Sequence, residues 1–433
     1  MVARKTVCLR RLGGDRGGEV QAGRFFANPR VTAAKIIAGW STLTGPACAG
    51  RHVLAIQDTT EVKFPTTAQR RRGLGPINKG LAHGVLVHAM LAVDAASGAC
   101  LGLVGGGVRN RPGVITTPHQ KRPLAERESA RWLDTAEQAK TVLRSAAMIT
   151  VVDDREADIY AKWALVPTAQ CHLLTRAMSD RNLAGVTEGV TLFAATAGFA
   201  VAGRRKIELP ARPPTRAQRT ATVELRFGEV EICRPATKHD RALPATVRLR
   251  LVEVREAAPP EGVEPLHWRL LTTHAVADAA AAWQIVAWYQ ARWTIEQLFR
   301  VMKSQGLQLE DSQMASAERL VKLAAAATQA ACIDIQLVQE RDGKHQLPAS
   351  TVFSEPEIET VEALVPSLEG KTERQKNPHP SRTLARAGWV IARLGGWNCY
   401  YGPPGPIVFR RGMEQFHAIH RGRQLEITRR RDV

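Results

Sequence analysis

The chain has 433 residues, of which 44% are hydrophobic and 23% charged, a composition that excludes a disordered or fibrous protein. Sixty Lys and Arg against 41 Asp and Glu give a net charge of +19, which indicates a polyanionic partner, either nucleic acid or an acidic membrane surface. The length fits one large domain with additions, or two to three modules.

Cysteine spacing and hydropathy exclude further classes. The seven cysteines are scattered without a C-x-x-C pair, which argues against a disulfide framework or a zinc ribbon and fits a reducing cytosol. The most apolar stretch, residues 321–338, is interrupted by polar and charged residues, so we expect no membrane-spanning helix. No apolar region follows the basic residues at the N-terminus, so we expect no secretory signal. Nucleic acid remains as the expected partner, with no membrane.

Residues 1–50 are the first predicted unit, a basic N-terminal segment that contacts DNA. The first 51 residues carry nine Lys and Arg against two acidic residues, and residues 32–40 have the pattern of a helix. A solvated basic face and a DNA-contacting arm account for this excess about equally well.

Residues 51–370 are predicted to form a mixed α/β core. Apolar runs at 52–58 and 147–154 predict buried strands that end in carboxylates, and two runs within 85–108 predict a hairpin. Charged residues at helical spacing predict a helix over 124–143. Strands and helices in this order predict a mixed sheet covered by helices.

A β-rich insertion is predicted at about residues 179–274, where four stretches alternate apolar and polar residues between turn signals. Within it, residues 204–219 are interpreted as a basic loop with six Lys and Arg against one acidic residue. A long helix is predicted over 278–304 and an Ala-rich helix over 318–339. The polar, proline-punctuated residues 342–380 are interpreted as a linker.

Residues 371–433 are predicted to form a helical C-terminal region that contributes to dimerisation and DNA contact. A helix is expected over 382–394, and the chain closes on a basic run at 429–431.

The long predicted helix presents a charged strip. Five side chains fall within about 80° of its circumference at about 100° per residue, beside an apolar arc that faces the core. They are Tyr289, Arg292, Glu296, Arg300 and Lys303. The strip is either a phosphate-binding site or a salt-bridged helix edge with Glu296 paired to Arg292 and Arg300. Spacing alone favours the salt-bridged edge.

Carboxylates at two predicted strand ends favour a catalytic site over a salt-bridged helix edge. Asp58 and Asp154 each close an apolar strand, where open α/β sheets place ligands. Together with Glu296 they supply hard oxygen ligands suited to Mg²⁺ or Mn²⁺, and pairs of such ions support phosphodiester chemistry. Asp153 competes with Asp154, because only one of two adjacent side chains can point to the same side of a strand end.

Two motifs give the chain a resemblance to a known family. Residues 154–158 read Asp-Arg-Glu-Ala-Asp, as in the DREAD segment of the DDE transposases of bacterial insertion sequences, and the strip in 289–303 has the spacing of the YREK signature in one group of them. That group includes the transposase of the kanamycin-resistance composite transposon. The Asp-Thr-Thr sequence that begins at Asp58 resembles the family's first-aspartate motif. Three further segments resemble the family, so that the resemblance covers roughly residues 22–425: 24–29, 73–76 and 387–396.

The resemblance implies an RNase H-like core and a cut-and-paste DNA transposase that uses Mg²⁺, with Mn²⁺ as a substitute. It implies that Asp58, Asp154 and Glu296 are the catalytic, metal-binding carboxylates, which favours Asp154 over Asp153. It also implies that a further set of residues binds DNA: Tyr289, Arg292, Arg300, Lys303, Trp268 and Arg176. Arg300 stands where relatives usually have Lys, so the charge is kept while the geometry differs.

Two members of that set are identified by position. Trp268, 28 residues before Glu296, matches an aromatic that stacks on a flipped base during hairpin formation, whereas an isolated Trp in an apolar strand would be interpreted as core. Arg176, 22 residues after Asp154, matches a DNA-contacting arginine on spacing alone.

The family resemblance also implies partners and an alternative. The implied partners are double-stranded DNA, as transposon ends and target, and a second copy of the chain in the synaptic complex, in the bacterial cytoplasm at the nucleoid. Relatives usually carry a longer DNA-binding region before the segment at 24–29, so residues 1–50 are interpreted as a shortened one. The alternative is therefore a non-catalytic, shortened DNA-binding inhibitor of transposition, and a nuclease without strand transfer is a third possibility.

Overall fold

The computed structural model describes residues 1–2, 4, 6–65, 73–111, 127–185, 190–209, 218–236, 241–400 and 402–431. The strands are β1 His52–Lys63, β2 Gly75–Ile77, β3 Ala82–Asp94, β4 Cys100–Arg109, β5 Met148–Asp153, β6 Cys171–Arg176, β7 Gly203–Leu209, β8 Arg219–Cys233, β9 Thr246–Glu256 and β10 His267–Thr272. The helices are α1 Leu9–Gly13, α2 Arg16–Ala27, α3 Ala33–Ala38, α4 Thr44–Ala47, α5 Ala130–Val142, α6 Tyr160–Leu165, α7 Leu192–Ala195, α8 Ala279–Gln290, α9 Trp293–Arg300, α10 Ala317–Glu340, α11 Glu355–Leu368, α12 Leu384–Leu394 and α13 Pro406–Arg431.

The strands form one ten-stranded mixed sheet. At its centre β1 pairs antiparallel with β3 and parallel with β5, while β3 pairs antiparallel with β4 and β5 pairs parallel with β6. The central order is therefore β4-β3-β1-β5-β6, in a mixed sheet flanked by helices as expected for an RNase H-like core. The predicted mixed α/β fold is therefore confirmed.

The β-rich insertion extends this same sheet. β10 lies antiparallel to β6, and the order continues through β9 and β8 to β7 at the edge. The prediction of a basic loop over 204–219 is wrong where the structure describes it, because residues 204–209 belong to β7 and Arg219 opens β8. Residues 210–217 lie outside the described residues. Basic side chains on an edge strand are expected, since they discourage pairing with another sheet.

Alternate residues of β1 pack on opposite faces of the sheet, as the pleat requires. Leu54 and Ile56 belong to the core formed with α8, α9 and α10, whereas Val53 and Ala55 belong to the core that includes α5, α11, α12 and α13. Asp58 continues the first series. This alternation decides which strand-end carboxylates meet α9.

The helix predicted over 278–304 is two helices followed by a π-helical turn, Val301–Gln305. Between α8 and α9 the N–H groups of Arg292, Thr294 and Ile295 each donate to the carbonyl three residues earlier, which tightens the chain into a 3₁₀-like turn. The β-branched residues Thr294 and Ile295 weaken a regular helix at this point.

The segment predicted as a linker contains a packed helix, so that prediction is wrong. α11 begins with a capping box between Ser354 and Glu357, and it packs on α12 and α13. Pro356 lies in the first turn, where a missing N–H removes no helical hydrogen bond. The predicted helical C-terminal region is present, while the boundaries at residues 50 and 370 stay predictions.

One helix of the described residues, α10, is long and apolar enough to cross a membrane by length and composition. Of its most apolar 18-residue window, 72% is buried inside the protein. The helix packs against β4, α3 and α9, and its Ala325 carbonyl accepts a hydrogen bond from Trp40 Nε1 at 3.2 Å. This bond ties the N-terminal segment to the core.

Candidate active site

Three carboxylates from distant parts of the chain reach the same face of the sheet. Asp58 lies within β1, and Asp154 follows β5, where its Oδ1 accepts the Arg155 N–H at 2.5 Å. Glu296 projects from α9. We call Asp58, Asp154 and Glu296 the carboxylate cluster. Asp153 points to the opposite face, so the structure places Asp154 on the side of α9.

Arg292 stands at the centre of the carboxylate cluster. One terminal nitrogen of its guanidinium donates to Asp58 Oδ2 at 3.0 Å and the other donates to Glu296 Oε1 at 2.5 Å. Its charge also interacts with that of Asp154. The pair with Glu296 is the helix-edge salt bridge considered above, but the bond to Asp58 crosses from α9 to the sheet. Arg292 therefore joins acidic groups of separate elements.

Burial dominates the electrostatics of Asp58. It raises the pKa of the Asp58 carboxyl to about 7, although the Arg292 charge and the hydrogen bond from the Thr59 N–H at 2.7 Å lower that pKa. The other two members of the carboxylate cluster raise it further. Burial therefore outweighs the charge of Arg292 and favours the neutral form of the Asp58 carboxyl.

Two aromatic side chains form the wall next to Arg292. The rings of Trp268 and Tyr289 pack edge to face with their centroids 5.5 Å apart, and Trp268 is 9% exposed. Burial raises the pKa of Tyr289 to about 12, so its hydroxyl is a neutral donor near neutral pH. Trp268 is both a core residue and part of the wall of the cleft, and its stacking on a flipped base stays a prediction.

These groups open into a cleft of about 620 Å³. Asp154 and Glu296 line it together with four of the six predicted DNA-binding residues: Tyr289, Arg292, Trp268 and Arg176. Arg176 also donates to the His267 carbonyl at 2.9 Å.

The other two predicted DNA-binding residues are not among those that line this cleft. Arg300 is exposed on the last turn of α9. Lys303 lies in the π-helical turn, where burial lowers the pKa of its ammonium group and the charge of Glu310 raises it. Their DNA contacts stay predictions.

The cleft holds three arginines that the sequence interpretation missed: Arg155, Arg219 and Arg269. Two of them had a signal, because Arg155 lies within the DREAD segment and Arg269 follows Trp268. Arg219 belongs to the insertion, and its approach to the cleft follows from the pairing of β8 with β9 and of β9 with β10. A cleft lined by arginines suits a substrate that carries phosphates.

The donor chemistry of the carboxylate cluster fits a hard divalent cation. Within the described ranges, no group of three or more His, Cys, Asp or Glu side chains is arranged to hold a metal ion. The geometry explains this result, because the guanidinium of Arg292 lies between Asp58 and Glu296 and takes an oxygen of each. Arg292 thus occupies the place of a cation.

Part of the sequence matches a known protein family. Residues 119–333 match the family model described as the transposase DDE domain. This match supports a DDE transposase family for the chain. The matched segment of the DDE domain includes Asp154, the sheet extension, α8 and Glu296, whereas Asp58 precedes it.

One solved structure similar to this chain is the piggyBac transposase, determined by cryo-EM as a synaptic complex with hairpin DNA. The two chains are 11% identical with a TM-score of 0.34, and the alignment covers 72% of this chain and 52% of that one. The present chain therefore spans about half the length of that transposase.

Proposed function

We propose that this chain is a DNA transposase of the YREK group that moves an insertion sequence by a cut-and-paste reaction. The observation that carries the proposal is the convergence of Asp58, Asp154 and Glu296 on Arg292 at the mouth of an arginine-lined cleft. Acidic groups that meet in this way suit phosphoryl transfer, and surrounding cations suit a phosphate backbone.

The carboxylate cluster would hold Mg²⁺, or Mn²⁺ in its place. Such ions, when bound, supply charge that activates an attacking oxygen and stabilises a leaving one. Asp58 and Glu296 each give one oxygen to Arg292 at present, so an ion that takes these oxygens would displace the guanidinium from at least one of them. The displaced guanidinium would then be available to bind a DNA phosphate.

The proposed reaction sequence has four phosphoryl transfers at the same carboxylates. Hydrolysis of one strand frees a 3′ hydroxyl, and that hydroxyl attacks the opposite strand to form a hairpin. Hydrolysis then opens the hairpin, and the freed 3′ hydroxyl attacks target DNA. Each step exchanges one phosphodiester oxygen for another, so one site can serve all four.

The DNA-binding side chains have separate proposed roles. Tyr289 and Arg292 bind phosphates near the cleaved end, with Arg176 across the same cleft. Arg300 and Lys303 extend the contact along the DNA beyond the cleft. Trp268 stacks on the extruded base of the hairpin, and this requires its ring to become more exposed than the 9% found here.

The proposed partners are double-stranded DNA and a second copy of the chain, paired on two transposon ends through residues beyond 370. We propose no membrane partner, and we propose that the protein acts in the bacterial cytoplasm at the nucleoid. The net charge of +19 supports a nucleic-acid partner.

The experiment is cleavage of a plasmid that carries the gene with its flanking DNA, with wild type and Glu296→Gln compared in Mg²⁺. We expect strand cleavage at the ends of the element by wild type, its loss without divalent ions, and its loss in Glu296→Gln. Binding of end DNA without cleavage in Mg²⁺ or Mn²⁺ would instead establish the inhibitor. Cleavage without joining to target DNA would establish a nuclease.

A further inference from the structure

A buried polar network lies beneath the carboxylate cluster, on the opposite face of the sheet. Gln57 precedes Asp58 and Asp153 precedes Asp154, so the pleat directs both preceding side chains away from the cleft. Both are fully buried. Ile56 pairs with Val152 in the parallel ladder, which brings Gln57 next to Asp153.

Asp153 is held by three elements. Its Oδ1 accepts a hydrogen bond from Gln57 Nε2 at 2.7 Å, and its Oδ2 accepts one from Thr175 Oγ1 at 2.8 Å and forms an ion pair with Lys162. Lys162 is also fully buried. A buried ion pair adds little stability compared with an apolar pair of the same volume, so its presence here points to a different use.

The network continues from Gln57 towards the first carboxylate. Gln57 Oε1 lies 3.2 Å from His88 Nε2, and His88 Nδ1 lies 2.8 Å from Thr59 Oγ1. Because Gln57 Oε1 only accepts, His88 Nε2 carries the proton and Thr59 donates to Nδ1. Burial lowers the pKa of His88 to about 3, in agreement with a neutral imidazole.

Arg131 extends the network to the end of β5. Its Nε donates to Thr59 Oγ1 at 3.0 Å, and its terminal nitrogen lies 3.2 Å from Glu156 Oε2. The Thr59 N–H donates to Asp58 Oδ1, and Glu156 belongs to the 3₁₀ turn that begins after Asp154. The segments that carry the two aspartates are therefore linked by side chains that do not line the cleft.

We infer that Gln57 and Asp153 are positioning residues that fix the distance between Asp58 and Asp154. The inference rests on the proposed function, since it assigns these residues to the same divalent-ion site. Each donor and acceptor of the Gln57 amide is engaged, with its second N–H bond going to the Trp132 carbonyl at 3.1 Å. Such a fully satisfied network permits one arrangement of the two strands.

The test is a titration of the full-length chain with Mn²⁺, followed by the EPR signal of free Mn²⁺. We expect Gln57→Met to weaken Mn²⁺ binding about 10-fold, similar to the loss of a supporting group behind a metal site, because the hydrogen bond between Gln57 and Asp153 that links the two strands is removed. Arg131→Met, at a partly exposed position, should weaken it in the same direction and serves as the second variant if Gln57→Met fails to fold.

Thr175→Val is the matched control. It removes a hydrogen bond to the same carboxylate of Asp153 but leaves the link to β1 intact, so we expect a lower thermal midpoint with Mn²⁺ affinity within about twofold of wild type. Unchanged Mn²⁺ binding in both Gln57→Met and Arg131→Met would overturn the inference, as would an equal loss in Thr175→Val. If wild type binds no Mn²⁺, or Asp58→Asn binds it equally well, the proposed function itself fails and this inference falls with it.

Discussion

The two ends of the parallel strands both gather titratable side chains, but they differ in access and charge. At the carboxyl end, Asp154, Glu296 and Arg292 border an open cleft, and Asp58 is paired with Arg292. At the amino end, His52 and His274 both contact Thr150 Oγ1, at 2.8 and 2.7 Å, and the His172 and His274 rings stack with centroids 4.1 Å apart.

The histidine end is closed and uncharged. Burial lowers the pKa of His274 to about 3, and neighbouring imidazoles lower it further. The Thr150 hydroxyl has one proton for two imidazole nitrogens, so at least one of the two histidines must donate to its oxygen. A group of titratable residues thus indicates a functional site only where a substrate can reach the group and where its side chains carry charge.

The largest expected effect comes from the open end. Asp154→Asn should reduce strand cleavage by on the order of 10³-fold or more, because the amide removes a charged oxygen but still caps the turn. Its thermal midpoint should stay close to that of wild type. Plasmid cleavage and thermal unfolding measure the two effects.

The matched variant at the closed end is His274→Asn. It should unfold at a lower temperature and retain cleavage within about threefold, since His274 packs against Trp288 and is not among the residues that line the cleft. The proposed difference in function between the two ends would be contradicted if Asp154→Asn retained cleavage, or if a folded His274→Asn lost it.

The next effect concerns the buried pair beneath the open end. Lys162→Met leaves Asp153 as an uncompensated buried charge and should lower the free energy of unfolding by about 3–5 kcal/mol. Urea denaturation measures this change. Lys140→Met, which removes an ion pair with Glu137 near the surface, should change it by less than about 1 kcal/mol. Equal changes in the two variants would contradict the buried pairing.

A smaller effect is expected at the wall of the cleft. Trp268→Ala should slow hairpin formation about 10- to 100-fold, because an extruded base loses its stacking partner, while the first nick slows much less. Single-turnover kinetics of the two steps separate them. Trp268→Phe should recover part of the hairpin rate. Equal slowing of nicking and hairpin formation would assign Trp268 to the core alone.

Per pH unit, the smallest expected effect is a pH dependence of the unfolding free energy at the closed end. Folding lowers the pKa of His274 from 6.5 to about 3, so between these values the unfolded chain binds more protons than the folded one. Stability is therefore lost as the pH falls below about 6.5, by up to about 1.4 kcal/mol per pH unit for one such group. His274→Asn should reduce the slope of the unfolding free energy against pH. A slope that His274→Asn leaves unchanged would contradict the prediction.

The sequence predicted the central fold and the convergence of the acids, because both depend on strand alternation and motif spacing. It did not predict the break between α8 and α9, because the helical spacing of residues 278–304 continues through the 3₁₀-like turn at Arg292. The prolines around α11 led to the prediction of a linker. Sequence periodicity alone does not show that Pro356 lies in the first turn of a helix, where proline is tolerated.

The choice between Asp153 and Asp154 illustrates what sequence leaves open. Adjacent aspartates are equivalent in a pattern, and the family resemblance was needed to prefer Asp154. In the structure, the apolar series of β5 divides between the two faces, with Val151 and Val152 in different cores. Asp153 pairs with Lys162, and no rule of residue spacing predicts this pair from the sequence.

The most direct measurement is an anomalous diffraction map from crystals of the full-length chain grown with Mn²⁺. The account predicts an anomalous peak bounded by the carboxyl groups of Asp58, Asp154 and Glu296, with Arg292 displaced from at least one of the two carboxylates that it now bridges. The account would be contradicted if crystals with saturating Mn²⁺ showed no peak at these carboxyl groups and Arg292 still lay between Asp58 and Glu296.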